Sequence, residues 1–194
     1  QGLRATSAAA WINNVRRQKI LSRSGSSAMP ADEDARLYIP VVYSYIKLKN
    51  WVKVREFSAL LQQFAPSDAN GYYLAAIGDA NTANYELSVI ENLAALLLKP
   101  TDPELHRNLG NNLLASYVGL GVSPPPVVIT AASIDLKTNN PIVRRHLNEA
   151  CALVAKKLQD AGLRRDAEAF LRENIKMGSA PTEMQIKTIP LPAK

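Results

Sequence analysis

One cysteine, two histidines and nine glycines are all that 194 residues hold of three residue types on which many sites and folds depend. A single Cys151 allows no intrachain disulfide and no cysteine-rich metal centre. Neither His106 nor His146 shows a second metal-type residue at a helical ligand spacing such as HxxxH, so no metal site is expected. Nine glycines are few for the many tight turns of an all-β sandwich. No run of about 18 apolar residues occurs, so no membrane-spanning helix is expected. The nucleophile motif GxSxG and the phosphate-binding loops GxxxxGK(S/T) and GxGxxG are missing. "GLG" at 119–121 is a lone turn signal beside prolines. Cys151 follows His146 by five residues on a different helix face and reads as a small buried side chain. Asp32-Glu33-Asp34 lacks the later ligands of a calcium loop and reads as the acidic start of a helix. No catalytic set, metal ligand or cofactor follows from these residues, and the chain is not expected to be an enzyme.

Acidic residues are also missing from one region. Residues 1–31 carry Arg4, Arg16, Arg17, Lys19 and Arg23 with no Asp or Glu, which leaves 18 basic and 17 acidic residues for the rest. The net charge of +6 therefore belongs to the arm, and the nearly neutral body is not expected to bind nucleic acid. Ser7 is a candidate N-cap for a short helix bearing Trp11 and Val15, with Arg16, Arg17, Lys19 and Arg23 toward its end. Such an arm could pack on the body, meet an anionic membrane surface or stay solvated. Its acid-free, Arg- and Ser-rich composition is shared with transit peptides, and the chain starts with Gln1. A processed product or a cut piece, organellar or extracytoplasmic, is the reading that fits. "SRSGSSAMPADED" then reads as a linker.

What is present is helical periodicity. Three regions are expected: a basic helix and linker at 1–31, a helical domain at 32–177, and an extended tail at 178–194. Leu37, Val41, Tyr45 and Leu48 recur at helical spacing, and Pro40 is expected to kink or weaken that helix. After a short turn at Lys49-Asn50, a second stripe runs through Trp51, Val54, Phe57 or Ser58, Leu61 and Phe64 until Pro66 stops it. A shift of 34 residues restores the pattern: Ala35 maps to Ala69, Tyr38 to Tyr72, Trp51 to Tyr85, Pro66 to Pro100 and Asp68 to Asp102. The third unit opens as "PELHRNLGNNLLASY". After the loop of Pro124, Pro125 and Pro126, "VVITAASIDLKTNNP" is expected as its second helix, with Pro141 closing it. A fourth pair follows, with Gly162 at the turn and Ala167 five residues on, its first helix about two turns too long.

Tyr38, Val41-Val42, Tyr45, Val54, Leu61 and Pro66, with Tyr72, Ala75-Ala76, Asp79, Ser88, Ala95 and Pro100 after them, resemble the tetratricopeptide repeat family. Leu109-Gly110 adds the family's Leu-Gly pair in the third unit. The likeness covers residues 35–118 well and 125–177 weakly. It departs at Val54 and Leu61, which replace small residues and imply wider packing, and at Asp79, where Tyr is usual. The resemblance implies an all-α fold, a right-handed solenoid of about four hairpins, whose first helices line a concave groove.

By the same resemblance the groove takes Ile39, Tyr43, Ile46 and Lys47, then Tyr73, Ile77, Ala80 and Asn81, then Arg107, Asn111, Leu114 and Ala115. Tyrosine and apolar side chains suit an apolar helix or an extended peptide. Arg107 and Asn111 match part of the clamp with which some members hold chaperone C-termini, but Leu74 and Asn108 break it. The expected function is a noncatalytic scaffold that binds other proteins, as a subunit of a larger, membrane-associated assembly. The alternative is a soluble accessory domain of a membrane-bound enzyme such as an extracytoplasmic glycosyltransferase.

Overall fold

A computed structural model describes residues 37–99, 101–122, 129–130, 133–134 and 140–176. Among the described residues the chain is helical apart from one pair of two-residue strands, with α1 (Tyr38–Lys47), α2 (Trp51–Phe64), α3 (Ala69–Asn81), α4 (Tyr85–Leu98), α5 (Pro103–Gly119), α6 (Pro141–Asp160) and α7 (Arg164–Lys176). The basic arm with Arg16, Arg17, Lys19 and Arg23, the cluster Asp32-Glu33-Asp34, the closing Pro100, the prolines at 124–126 and the tail at 178–194 lie outside the described residues. No described helix is long and apolar enough to cross a membrane.

The 34-residue recurrence exists in the backbone. α2 and α4 start and end 34 residues apart, and their last-turn neighbours Ala65 (φ −134°, ψ 70°) and Lys99 (φ −137°, ψ 68°) share one conformation. Asp68 and Asp102, also 34 apart, accept backbone N–H groups at the starts of α3 and α5: Asp68 Oδ1 from Asn70 at 2.9 Å, Asp102 Oδ1 from Leu105 at 2.9 Å. The turns repeat as well. Lys49 (φ 52°) and Ala83 (φ 61°) both adopt the left-handed conformation that terminates α1 and α3. The next N–H in each case reaches back five residues, Asn50 to the Tyr45 carbonyl at 3.0 Å and Asn84 to that of Asp79 at 2.9 Å. Gly121 and Gly162 end α5 and α6 in the same way, with Val122 bonding Tyr117 at 3.1 Å and Leu163 bonding Leu158 at 2.8 Å. Glycine is the residue with least strain there, and the first two turns do without it.

Pro66 does more than stop α2. It is buried behind Ala65, and its carbonyl accepts the Tyr72 hydroxyl at 2.9 Å, which fixes the angle at which α3 leaves the turn. Helices α1 to α5 pack in chain order, and α1 and α5 also touch α3, so these three form a row. Tyr38, Val41, Val42, Tyr45, Val54, Phe57 and Leu61 make one core, joined by Leu74 of α3. A larger core runs from Tyr72 through α4 and α5 to Val143, Leu147, Val154, Ala167 and Leu171.

Val54 and Leu61 do not force the α2–α3 junction apart. Each faces a glycine on α3, in antiparallel register: a Cβ on Gly78 would lie 3.1 Å from Val54 Cγ1, and one on Gly71 3.3 Å from Leu61 Cβ. The volume added on α2 is thus removed from α3.

Two expectations are corrected. In its described residues the segment "VVITAASIDLKTNNP" is not the expected second helix of a third unit. Its described parts are two short antiparallel strands, β1 (Ile129–Thr130) and β2 (Ser133–Ile134), paired Ile129 to Ile134 and Thr130 to Ser133. The β-branched run Val127, Val128, Ile129 and Thr130 favours extended backbone over helix. Pro141 closes nothing. It occupies the first turn of α6, where its missing N–H costs no hydrogen bond, and Asn140 Oδ1 caps that helix by accepting from Ile142 at 3.0 Å and Val143 at 3.2 Å. Pro40 is the third residue of the described α1. The Ser44 hydroxyl donates to the Pro40 carbonyl at 2.9 Å. α6 packs against α4, the neighbour that a second helix of the third unit would have had, and α7 packs on α6.

Candidate functional site

The row α1–α3–α5 carries the side chains expected in the groove. Ile39, Tyr43, Ile46 and Lys47 stand on α1, Tyr73, Ile77, Ala80 and Asn81 on α3, and Arg107, Asn111, Leu114 and Ala115 on α5, all at least partly exposed. Tyr43 is 43% and Leu114 42% exposed, and Val118, a turn beyond Leu114, is 65% exposed. Tyr73 sits between them, packed against both cores, and close enough to Tyr43 to feel its phenol. Burial, and then Tyr43, raise the Tyr73 hydroxyl above its ordinary value. The Asn81 amide donates to the Ile77 carbonyl at 2.8 Å, which fixes it at the C-terminal end of α3. An open pocket of about 570 Å³ adjoins the Ile39 end, lined also by Pro40, Ser67, Asp68, Asn70 and Lys99. Leu74, which breaks the chaperone clamp in sequence, is fully buried and faces the core.

Behind this row several polar side chains are buried among the apolar ones. Asp79, the residue standing where the repeat pattern calls for Tyr, is buried and ion-paired with Arg55 Nε at 2.7 Å across the α2–α3 junction. The Asn84 amide donates to Asp79 Oδ1 at 3.1 Å. Glu91 of α4 accepts from Gln62 of α2 at 3.0 Å, and burial pushes its carboxyl well above the usual carboxylate range. Asp79 acts in the same direction, while the Gln62 hydrogen bond and Arg55 oppose it. Glu91 Oε2 has no hydrogen-bond partner among the described residues. Further along α4, Ser88 donates to the Ala76 carbonyl at 2.9 Å and lies 2.9 Å from Ser116 Oγ. Asn92 donates to the Ser88 carbonyl at 2.8 Å and accepts from Asn112 at 3.2 Å. α4 is thus tied to α2, α3 and α5 by directional bonds at the place where each neighbour must sit.

A second cluster lies where α6 crosses the start of α4. Arg145 NH1 donates to Glu86 Oε1 at 2.7 Å and to Glu149 Oε1 at 3.2 Å, and NH2 lies 2.9 Å from His146 Nε2. The Tyr117 hydroxyl of α5 is 3.1 Å from His146 Nδ1. Burial, then Arg145, hold His146 below its ordinary value, and Arg145 holds Glu86 below the usual carboxylate range. The expectation that no metal-type residue accompanies either histidine is corrected here, because Glu149 follows His146 by one helical turn. The HxxE spacing carried that signal. Glu86, 60 residues upstream, could not be associated with it from sequence.

No family model matches this chain, and neither a curated protein nor a solved structure matches it. Cys151 is buried, and burial alone pushes its thiol up to about 12, so the thiolate needed for nucleophilic chemistry is disfavoured. The side chain of His106 lies outside the described atoms.

Proposed function

We propose that this chain is a noncatalytic, tetratricopeptide-like scaffold that binds other proteins along the α1–α3–α5 row, as a subunit of a larger assembly. The observation that carries the reading is the row itself: three neighbouring helices, each offering tyrosine or aliphatic side chains to solvent. The 34-residue recurrence of helix ends, caps and turns supports stacked hairpins as the framework. Tyr43 and Tyr73 are the natural anchors, because aromatic side chains bring large contact area with few torsions to immobilise. Leu114 and Val118 extend the apolar strip, and Lys47, Arg107, Asn81 and Asn111 give its polar rim. An amphipathic helix or extended peptide has the chemistry to fill such a strip.

The test is native purification with mass spectrometry on the wild type and on Tyr43→Ala/Tyr73→Ala. The wild type is expected to hold a stoichiometric partner that the double variant loses, with its helix content unchanged. Recovery of the wild type only as a free monomer would sink the subunit reading. A partner retained by the double variant would place binding on another face.

A further inference from the structure

The sequence "HLNE" at 146–149 puts an imidazole and a carboxylate one turn apart on the same face of α6, and packing brings Glu86 from the first turn of α4 to meet them. One ligand atom from each of the three lies within 4.8 Å of the other two. His146 is 1% exposed, whereas Glu86 and Glu149 reach in from the surface. Tautomer follows from the neighbours. Arginine only donates, so His146 Nε2 accepts from Arg145, Nδ1 carries the hydrogen, and the Tyr117 oxygen receives it. A buried imidazole whose Nδ1–H is held by a neighbour, and whose Nε2 lies 3.8 Å from Glu86 Oε1, has the orientation a metal-ligating histidine requires.

We propose that Glu86, His146 and Glu149 form a binding site for a first-row divalent cation of the zinc type, and that the Arg145 guanidinium competes with the cation for the same three ligands. One imidazole and two carboxylates suit zinc's mixed nitrogen and oxygen preference, with water completing the coordination. The three acceptors already converge on a positive group. Arg145 brings one charge to two carboxylates, and a divalent cation would neutralise both. Arg145 is half exposed on a long side chain and can turn into solvent, while His146 is held by Tyr117 and by the core. The two carboxylates, exposed and flexible, supply the inward movement that metal–oxygen bonds of about 2.0–2.2 Å demand. The cation would join α4 to α6 as Arg145 does.

Equilibrium dialysis with Zn²⁺, and the visible spectrum with Co²⁺ as a coordination probe, test this on the full chain. The wild type is expected to bind one equivalent. Arg145→Ala is expected to tighten binding, and Glu86→Gln and Glu149→Gln each to weaken it roughly tenfold or more. Tyr117→Phe weakens it by a factor in the same range, and His106→Gln leaves it unchanged. The exposed Glu86 and Glu149 positions keep the test readable if replacing the buried His146 harms folding. Absence of Zn²⁺ binding in both the wild type and Arg145→Ala overturns the site, as does binding that is indifferent to Glu86→Gln and Glu149→Gln.

Discussion

The hairpins α1–α2 and α3–α4 share their turn conformation and the ends of their second helices, and are held together differently. The first closes on aromatic rings: Tyr38 stacks near Phe64 with centroids 6.0 Å apart, and Tyr45 on Phe57 at 5.3 Å. The second has Gly71, Ala75, Ala76 and Gly78 on α3 and places Ser88, Glu91 and Asn92 inside the core. Ring stacking is forgiving of small displacements, because apolar contact depends weakly on direction. Hydrogen bonds between buried polar groups are not forgiving, since an unpaired partner costs about 1–3 kcal/mol. Within the first hairpin the contacts are mainly a matter of shape, while α4, with neighbours on several sides, uses polar bonds, one of them to Gln62 of α2, to specify where each neighbour sits.

Substitutions can break that contrast, and the largest effect is expected at the pair Tyr38 and Tyr72, which occupy equivalent positions. Tyr72→Ala should cost about 3–5 kcal/mol in urea unfolding, because it empties a fully buried site and strands the Pro66 carbonyl. Tyr38→Ala should cost less, its core being smaller. Equal costs would mean that the two cores are energetically alike. Next in size is Gly78→Val, where even a Cβ would lie 2.8 Å from Arg55 Cγ. Overpacking there should cost about 1–3 kcal/mol, part of it recovered when Val54→Ala is added. No recovery in the double variant would show that α2 and α3 do not trade volume at this contact.

The pH response isolates the polar core. Glu91 is held above its unfolded value, so its neutral form is favoured by folding. The sign follows: its contribution is complete below the ordinary carboxylate range and is lost as pH rises through the folded value, at a slope of up to about 1.4 kcal/mol per pH unit. Glu91→Gln should remove that slope, and chemical denaturation across pH measures it. An unchanged slope would assign the titration to another group. Smallest is the turn chemistry. Ala83→Gly and Lys49→Gly should each raise the melting temperature slightly, worth about 0.4–1 kcal/mol, since both residues hold positive φ. Gly162→Ala should act in the opposite sense.

Much of the framework was legible in sequence because its causes are local. Pro66 after an apolar stripe, Asp68 and Asp102 ahead of helices, and Gly162 at a turn each act within a few residues of themselves. The misreading of "VVITAASIDLKTNNP" came from extending a 34-residue rhythm over a β-branched run whose own preference is extended. Asp79 was visible as a departure from the repeat pattern, but its role depends on Arg55 across the junction and on Asn84 in the turn. The twelve expected groove residues are placed on three neighbouring helices by the same periodicity that placed the core. Glu86 with His146 had no such signal, because the helices that carry them are separated by the whole of α5 and the segment after it.

The sequence by itself determined the hairpins, their caps and their shared turns, since helix and turn formation is settled by groups within about five residues of one another. Only the tertiary structure decided that α6 lies on α4, that Glu91 meets Gln62, and that Arg145 gathers Glu86, His146 and Glu149. Those outcomes depend on burial, which draws together polar groups from distant helices and charges a desolvation cost that only the right partner offsets.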